Sequence, residues 1–364
     1  MRNASPVVTV NKLEVAYSTI YGQIKALNGV SLSILQGEVY GLVGESGCGK
    51  STLGLSISGL LPMPPARIIS GNIFFKGLNV SDLSEDDLRK IRGTGIFMIF
   101  QSPLNSLNPV FKVGDQIAEA IQIKMQRENK SINFQEVYNY GPTEKQGFKN
   151  AWNVTLKRVK KGSTRNWKSD RVLSEVLEVL ESVRISDPER VANSYPHELS
   201  GGMRQRIMIA MALSLKPEFL IADEPTSALD VTTQAQILNN MKNLVERYST
   251  SILFITHDLA VAANISDRVG VMYAGSLVEE ASVYDLFRDP LHPYTLGLLK
   301  SFPQGNKRTN KLFSIKGEVP NLTSLPPGCP FAPRCDQAKP ECYNTKPQLL
   351  KVKENHKVAC FLYK

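Results

Sequence analysis

The sequence predicts an α/β fold built on a parallel sheet, and three observations predict it. Short apolar runs at 96–100, 219–222 and 252–256 have the length and the β-branched and aromatic content of buried strands. Stretches with the apolar period of helices, 172–183, 203–215 and 232–248, separate them. A strand-like run at 30–43 passes directly into a glycine-rich loop and then a helical pattern at 51–61, a strand–loop–helix unit. Another strand-like run, 7–17, opens the chain.

Length and composition allow a sizeable core. The chain has 364 residues, of which 42% are hydrophobic and 21% charged, the balance of a globular protein and far from that of disordered chains. Its longest apolar stretches, such as 207–215, fall well short of the ~20 residues that cross a bilayer. The start Met1-Arg2-Asn3-Ala4-Ser5-Pro6 has no apolar signal segment, so neither a membrane span nor secretion is expected. The net charge of +9 is concentrated: residues 124–171 hold 12 Lys or Arg against 4 Asp or Glu, an excess of 12 − 4 = +8. This segment reads as a basic insertion, either a solvated one or one that meets anionic lipid or a partner; nucleic acid is not expected.

The loop Gly44-Glu45-Ser46-Gly47-Cys48-Gly49-Lys50-Ser51-Thr52 fits the phosphate-binding pattern in which glycines let backbone N–H groups surround a polyphosphate. Lys50 is expected on the β- and γ-phosphates of ATP, and the Ser51 hydroxyl on Mg²⁺. The helix that follows points its positive end at the anion. Cys48 occupies a variable position of the loop and is read as non-catalytic.

The run Phe219-Leu220-Ile221-Ala222 ends in Asp223-Glu224, two carboxylates at the carboxyl edge of a buried strand, where open α/β sheets bind ligands. Asp223 is expected to hold Mg²⁺, and Glu224 to polarise the water that attacks the γ-phosphate.

Leu199-Ser200-Gly201-Gly202-Met203-Arg204-Gln205 resembles the signature motif of ATP-binding-cassette (ABC) proteins, with Met203 where the usual pattern has Gln. A serine and two glycines opening a helix offer a second anion-binding N-terminus. The resemblance implies that Ser200, Gly201, Gly202 and Gln205 face an ATP held by a partner subunit, two cassettes sandwiching two nucleotides. It also implies a RecA-like parallel core with an antiparallel β subdomain and a helical subdomain. Other family positions follow: Gln101 matches the Q-loop and a Mg²⁺ contact, Ser227-Ala228-Leu229-Asp230 the D-loop, and His257 the switch histidine. Tyr17 resembles the aromatic that stacks on adenine, with Tyr21 as competitor.

These motifs assign residues 1–303 to a nucleotide-binding domain, with a helical subdomain at about 102–215 that carries the insertion at about 124–171. From Gln304, Pro, Gly, Asn and Lys dominate, which marks a linker into a small tail, 304–364, rather than more sheet. Cys329, Cys335, Cys342 and Cys360 fall there at the spacing C-x5-C-x6-C-x17-C. An ATP site belongs in the reducing cytosol, so disulfides are disfavoured, and four thiols on a core-poor tail suggest a metal centre, zinc or iron–sulfur, with unligated or adventitiously oxidised thiols as the alternative. The lack of a tight C-x2–4-C pair weighs against zinc.

Asp289-Pro290-Leu291-His292-Pro293-Tyr294-Thr295, Gly317-Glu318-Val319-Pro320 and Cys329-Pro330-Phe331-Ala332-Pro333-Arg334-Cys335 look like the C-terminal extension of oligopeptide- and dipeptide-transport ATPases. Some members of that group bind a [4Fe-4S] cluster through such cysteines. The resemblance implies an ATP-hydrolysing importer subunit at the cytoplasmic face of the membrane, peripheral to it. Its partners would be a second, homologous ATPase in a heterodimer, two transmembrane permeases and, indirectly, an extracytoplasmic solute-binding protein. Peptides are the expected cargo; oligosaccharides or nickel are alternatives, and a soluble cassette acting on ribosomes or nucleic acid is a third.

Overall fold

The computed structural model describes residues 5–20, 22–101, 106–128, 170–301 and 314–363. The chain begins with a long hairpin, β1 (Pro6–Thr19) and β2 (Gly22–Leu35), followed by the wholly buried β3 (Val39–Val43) and helix α1 (Lys50–Ile57). The apolar run read at 30–43 is therefore two strands, divided by a turn in which Gly37 has φ +68°. β4 (Ala66–Phe75) pairs with β1 and the short β5 (Leu78–Asn79) with β4, giving an antiparallel sheet in the order β2-β1-β4-β5.

Helix α2 (Glu85–Ile91), capped by the Ser84 hydroxyl, leads to β6 (Ile96–Ile99). Four helices follow among the described residues: α3 (Val113–Glu128), α4 (Asp170–Ser182), α5 (Pro188–Asn193) and α6 (Gly201–Leu215). On α4 and just beyond, Val172, Val176, Leu180 and Val183 recur at helical spacing and are all buried. They pack with Ile117 and Ile121 of α3 and Ile207 and Ile209 of α6. The basic insertion read at 124–171 lies almost entirely outside the described residues.

An alternation of strand and helix then runs through β7 (Phe219–Asp223), α7 (Val231–Tyr248), β8 (Ser251–Thr256), α8 (Leu259–Ile265) and β9 (Arg268–Tyr273). β10 (Ser276–Ser282) turns back against β9, and α9 (Val283–Arg288) and α10 (Pro293–Lys300) close the core. β3, β6, β7, β8 and β9 are mutually parallel and bury both faces, which is why they read as unbroken apolar runs. One face of this sheet meets α6 and α7, the other the antiparallel sheet and α1. Truncating a fully enclosed ring such as Phe219 or Phe254 to alanine would cost about 3–5 kcal/mol.

The tail corrects one expectation. After α11 (Pro340–Asn344), β11 (Leu350–Lys353) and β12 (His356–Val358) form a hairpin whose second strand pairs with β10. The extension thus lengthens the large sheet, to the order β11-β12-β10-β9-β3-β8-β7-β6. The sequence hid this because β11 and β12 are only four and three residues long, too short for the alternation of Leu350 and Val352 with lysines to stand out. No described helix is long and apolar enough to cross a membrane.

Candidate active site

The glycine-rich loop leaves the carboxyl end of β3 and enters α1. At Gly49 the backbone has φ +102°, and a Cβ there would lie 2.4 Å from the Ala26 carbonyl, so only glycine lets the loop close against β2. Lys50 is buried, and its Nζ donates to the carbonyls of Gly44 at 2.8 Å and Glu45 at 3.0 Å. Ser46 and Gly47 stand exposed at the loop's rim. Cys48 is enclosed, and burial raises its thiol above the ordinary range with Lys50 opposing, as suits a residue that takes no part in chemistry. Thr52, in the first turn of α1, accepts from the Ser56 hydroxyl.

Three neighbouring parallel strands place the reactive groups. Gln101 follows β6, Asp223 and Glu224 end and follow β7, and His257 follows β8, so all reach the same edge of the sheet. Asp223 is buried; burial raises its carboxyl above the usual range, the Ser51 hydroxyl it bonds lowers it, and neighbouring Glu224 raises it again. That contact joins the two residues, Ser51 of the loop and Asp223 at the end of β7, that the sequence predicts on one Mg²⁺.

Glu224 turns outward with φ +46°, a left-handed conformation that costs a non-glycine residue about 1 kcal/mol or more. Its N–H donates to Ile255 at 2.9 Å, which fixes the turn. The carboxylate is then held at both oxygens: Gln101 Nε2 donates to Oε2 at 3.0 Å, and His257 Nδ1 lies 2.9 Å from Oε1. The histidine ring remains 63% exposed while the Glu224 side chain is only 15% exposed. A carboxylate oriented this way, beside a cradle for phosphate, can accept a proton from water.

The signature segment opens α6. Ser200 caps the helix, accepting from the Met203 N–H at 3.3 Å. A Cβ on Gly202 would approach the Ala228 carbonyl at 3.2 Å, whereas one on Gly201 would meet nothing within 4 Å. Gln205 is placed differently from its three companions: only 1% exposed, its amide donates to the Glu224 carbonyl at 3.1 Å and accepts from the Ala228 N–H at 3.3 Å. It therefore braces this chain's own carboxylate turn and is not available to an external phosphate. Asp230 is exposed and caps α7 by accepting from Thr233. Tyr17 is half-buried on β1 against the core between the two sheets, and Tyr21 lies outside the described residues.

The four tail cysteines, far apart in sequence, line one pocket with His292 and Phe331. The Cys329 N–H donates to the Cys342 carbonyl at 2.7 Å, and burial pushes the Cys329 thiol up to about 11. Among the described residues, no three of His, Cys, Asp or Glu converge closely enough to bind a single metal ion.

Sequence reasoning missed two sets of contacts. Arg334, in the cysteine segment, forms a bidentate pair with Glu45 of the loop at 2.9 and 3.2 Å, and the Glu45 N–H donates to Tyr294 Oη at 2.9 Å. Buried Glu279 accepts from the N–H groups of Leu291 and His292 and lies 2.6 Å from His356 Nε2, joining β10 to β12. Both link positions remote in sequence, and local patterns carry no signal for either.

The "ABC transporter" family profile matches residues 27–227, which include the loop, Gln101, the signature segment and the carboxylate pair. The chain belongs to the ABC transporter family. In this ABC ATPase a second profile, "Oligopeptide/dipeptide transporter, C-terminal region", matches residues 278–342. The oligopeptide transport ATP-binding protein AppD of Bacillus subtilis is 44% identical over 99% of this chain and 97% of its own length. The dipeptide transport ATP-binding protein DppD of the same organism is 42% identical over 98% and 94%. Among solved structures, the dimeric post-hydrolysis state of the cassette MJ0796 bound to ADP and Pi aligns with TM-score 0.58 and 26% identity, over 76% of this chain and 98% of that one.

Proposed function

We propose that this chain powers the uptake of di- or oligopeptides as one ATPase subunit of an ABC importer. The observation that carries the reading is that similarity to peptide-transport ATPases runs the full length of the chain, tail included. In the proposed cycle the loop from Gly44 to Thr52 holds the triphosphate and Tyr17 flanks the adenine. Ser51, Asp223 and Gln101 would hold Mg²⁺, which would supply charge neutralisation at the phosphates. Water attacks the γ-phosphorus in line, Glu224 takes its proton, and the bond to ADP breaks. His257 orients Glu224 and reads the γ-phosphate, and Gln101 passes the state of the site to the helices α3–α6.

The partner assignments rest on the signature. Gly201 has no neighbour that its missing side chain would touch, so the fold itself gives no reason for glycine there. A close approach from outside supplies one: a phosphate of ATP held by a second cassette, reached also by Ser200 and Gly202. MJ0796, similar in fold, is dimeric. A homologous second ATPase, with Asp230 near the shared interface, two permeases and an extracytoplasmic solute-binding protein complete the proposed assembly at the cytoplasmic face of the membrane.

For the four cysteines, which line one pocket, the spacing without a tight C-x2–4-C pair favours a [4Fe-4S] cluster over zinc. Cys329, Cys335, Cys342 and Cys360 would be its ligands. Bound there, a cluster would supply a covalent centre that crosslinks the tail and can accept an electron.

Reconstituting the chain in proteoliposomes with its permeases, second ATPase and solute-binding protein tests the function. ATP-dependent accumulation of labelled peptide is expected; transport of nickel or an oligosaccharide with no peptide uptake would refute the substrate.

A further inference from the structure

We infer that Arg334 of the cysteine-rich extension is a positioning residue of the ATP site, holding the phosphate-binding loop through Glu45. The inference rests on the assignment of Gly44–Thr52 as that loop. Glu45 is gripped at three points. Its carboxylate takes both arms of the Arg334 guanidinium at 2.9 and 3.2 Å, its N–H donates to Tyr294 Oη at 2.9 Å, and its carbonyl accepts from Lys50 Nζ at 3.0 Å. One residue thus stands between the extension and the lysine that meets the phosphates.

Arg334 is itself fixed. Its side chain is 6% exposed; Nε donates to the Lys316 carbonyl at 3.0 Å and Nη1 to Tyr273 Oη at 3.2 Å. Phe331, three residues earlier, stands edge-on to Tyr273 with ring centroids 5.2 Å apart, and Tyr294 packs on both rings. Hydrogen bonds from Ala332 N to Cys329, Arg334 N to Phe331 and Cys335 N to Ala332 make the segment between the first two cysteines a tight turn. A bidentate guanidinium–carboxylate pair with so little freedom sets the direction of its partner's backbone as well as its charge. A loop that must present several N–H groups to a polyphosphate binds more tightly when its conformation is set beforehand.

The test uses the full-length chain and titration calorimetry with Mg·ATP, with thermal melts recorded without nucleotide. Arg334→Ala and Glu45→Gln are each expected to weaken ATP binding about tenfold, and the double variant no further than either alone. Arg334→Lys, which keeps the charge but loses the fork, should recover only part of the affinity. Affinity within about twofold of wild type in a folded Arg334→Ala, or additive losses in the double variant, would overturn the inference. Should Arg334→Ala fail to fold, Glu45→Gln decides, since its shape is preserved: unchanged affinity there is equally fatal. Lys50→Ala is the control, because retained ATP binding in that variant would remove the loop assignment rather than the role of Arg334.

Discussion

His257 Nδ1 lies 2.9 Å from one oxygen of the Glu224 carboxylate, while the Gln101 amide donates to the other at 3.0 Å. The carboxylate proposed as the base is therefore fixed at both oxygens, at the expense of a left-handed backbone at Glu224. Glu224→Gln should bind ATP as wild type does and lower turnover in the assembled transporter by about 100-fold or more. Phosphate release and nucleotide binding, measured separately, check this; undiminished turnover removes Glu224 as the base. His257→Ala should also slow turnover while leaving nucleotide affinity near wild type.

Gly201 offers a cleaner separation of folding from function. Alanine there meets nothing within 4 Å and improves helix propensity, so the isolated Gly201→Ala chain should be as stable as wild type or up to about 1 kcal/mol more so. Its own loop should bind ATP normally. Hydrolysis by the paired subunits should nevertheless fall, because the added methyl stands where the partner's phosphate would approach. Denaturation midpoints and coupled ATPase rates measure the two effects, and normal hydrolysis would contradict the assigned interface.

Arg268 joins the start of β9 to two buried carboxylates, Glu38 at 3.0 Å and Glu280 at 2.8 Å, and Tyr40 Oη donates to Glu280 at 2.9 Å. Burial raises the Glu38 carboxyl, with Arg268 opposing; at Glu280 burial is again the largest single influence, but Arg268, Lys357 and Tyr40 together outweigh it and hold the carboxyl low. Arg268→Met should cost about 3 kcal/mol, since it strands buried Glu38 without a counter-charge and leaves Glu280 with Lys357 alone. A urea titration giving a loss below about 1 kcal/mol would show that the pair is solvated instead.

The cysteine pocket predicts a composition. Anaerobically purified protein should contain iron and acid-labile sulfide in equal amounts, about four of each per chain. Serine at Cys335 or Cys360 should lower both. Stoichiometric zinc without iron would replace the cluster with a zinc site.

Most of the ATP site was legible because its parts are local. Gly44 to Thr52 and Ser200 to Gly202 are continuous segments in which residue type answers directly to backbone shape and hydrogen bonding. Asp223 and Glu224, and likewise His257, announce themselves by following buried apolar strands. Gln205 was legible as part of a motif but not in its role, because which face of α6 is enclosed depends on the turn after β7 that packs there. The β11–β12 hairpin escaped notice because edge strands need only a partner's backbone, which any sequence can pair with.

By itself, the sequence determined the α/β alternation, the phosphate loop, the signature helix and the family of the chain. Each depends on periodicity or on short-range backbone chemistry written into neighbouring residues. Tertiary structure alone decided that strands β6, β7 and β8 lie side by side, bringing Gln101, Glu224 and His257 into contact. It alone decided, too, that the tail returns 289 positions along the chain to seat Arg334 on Glu45. Strand order and the return of a tail are set by packing of the whole core, and a charge pair formed at such a distance leaves no trace in the residues beside either partner.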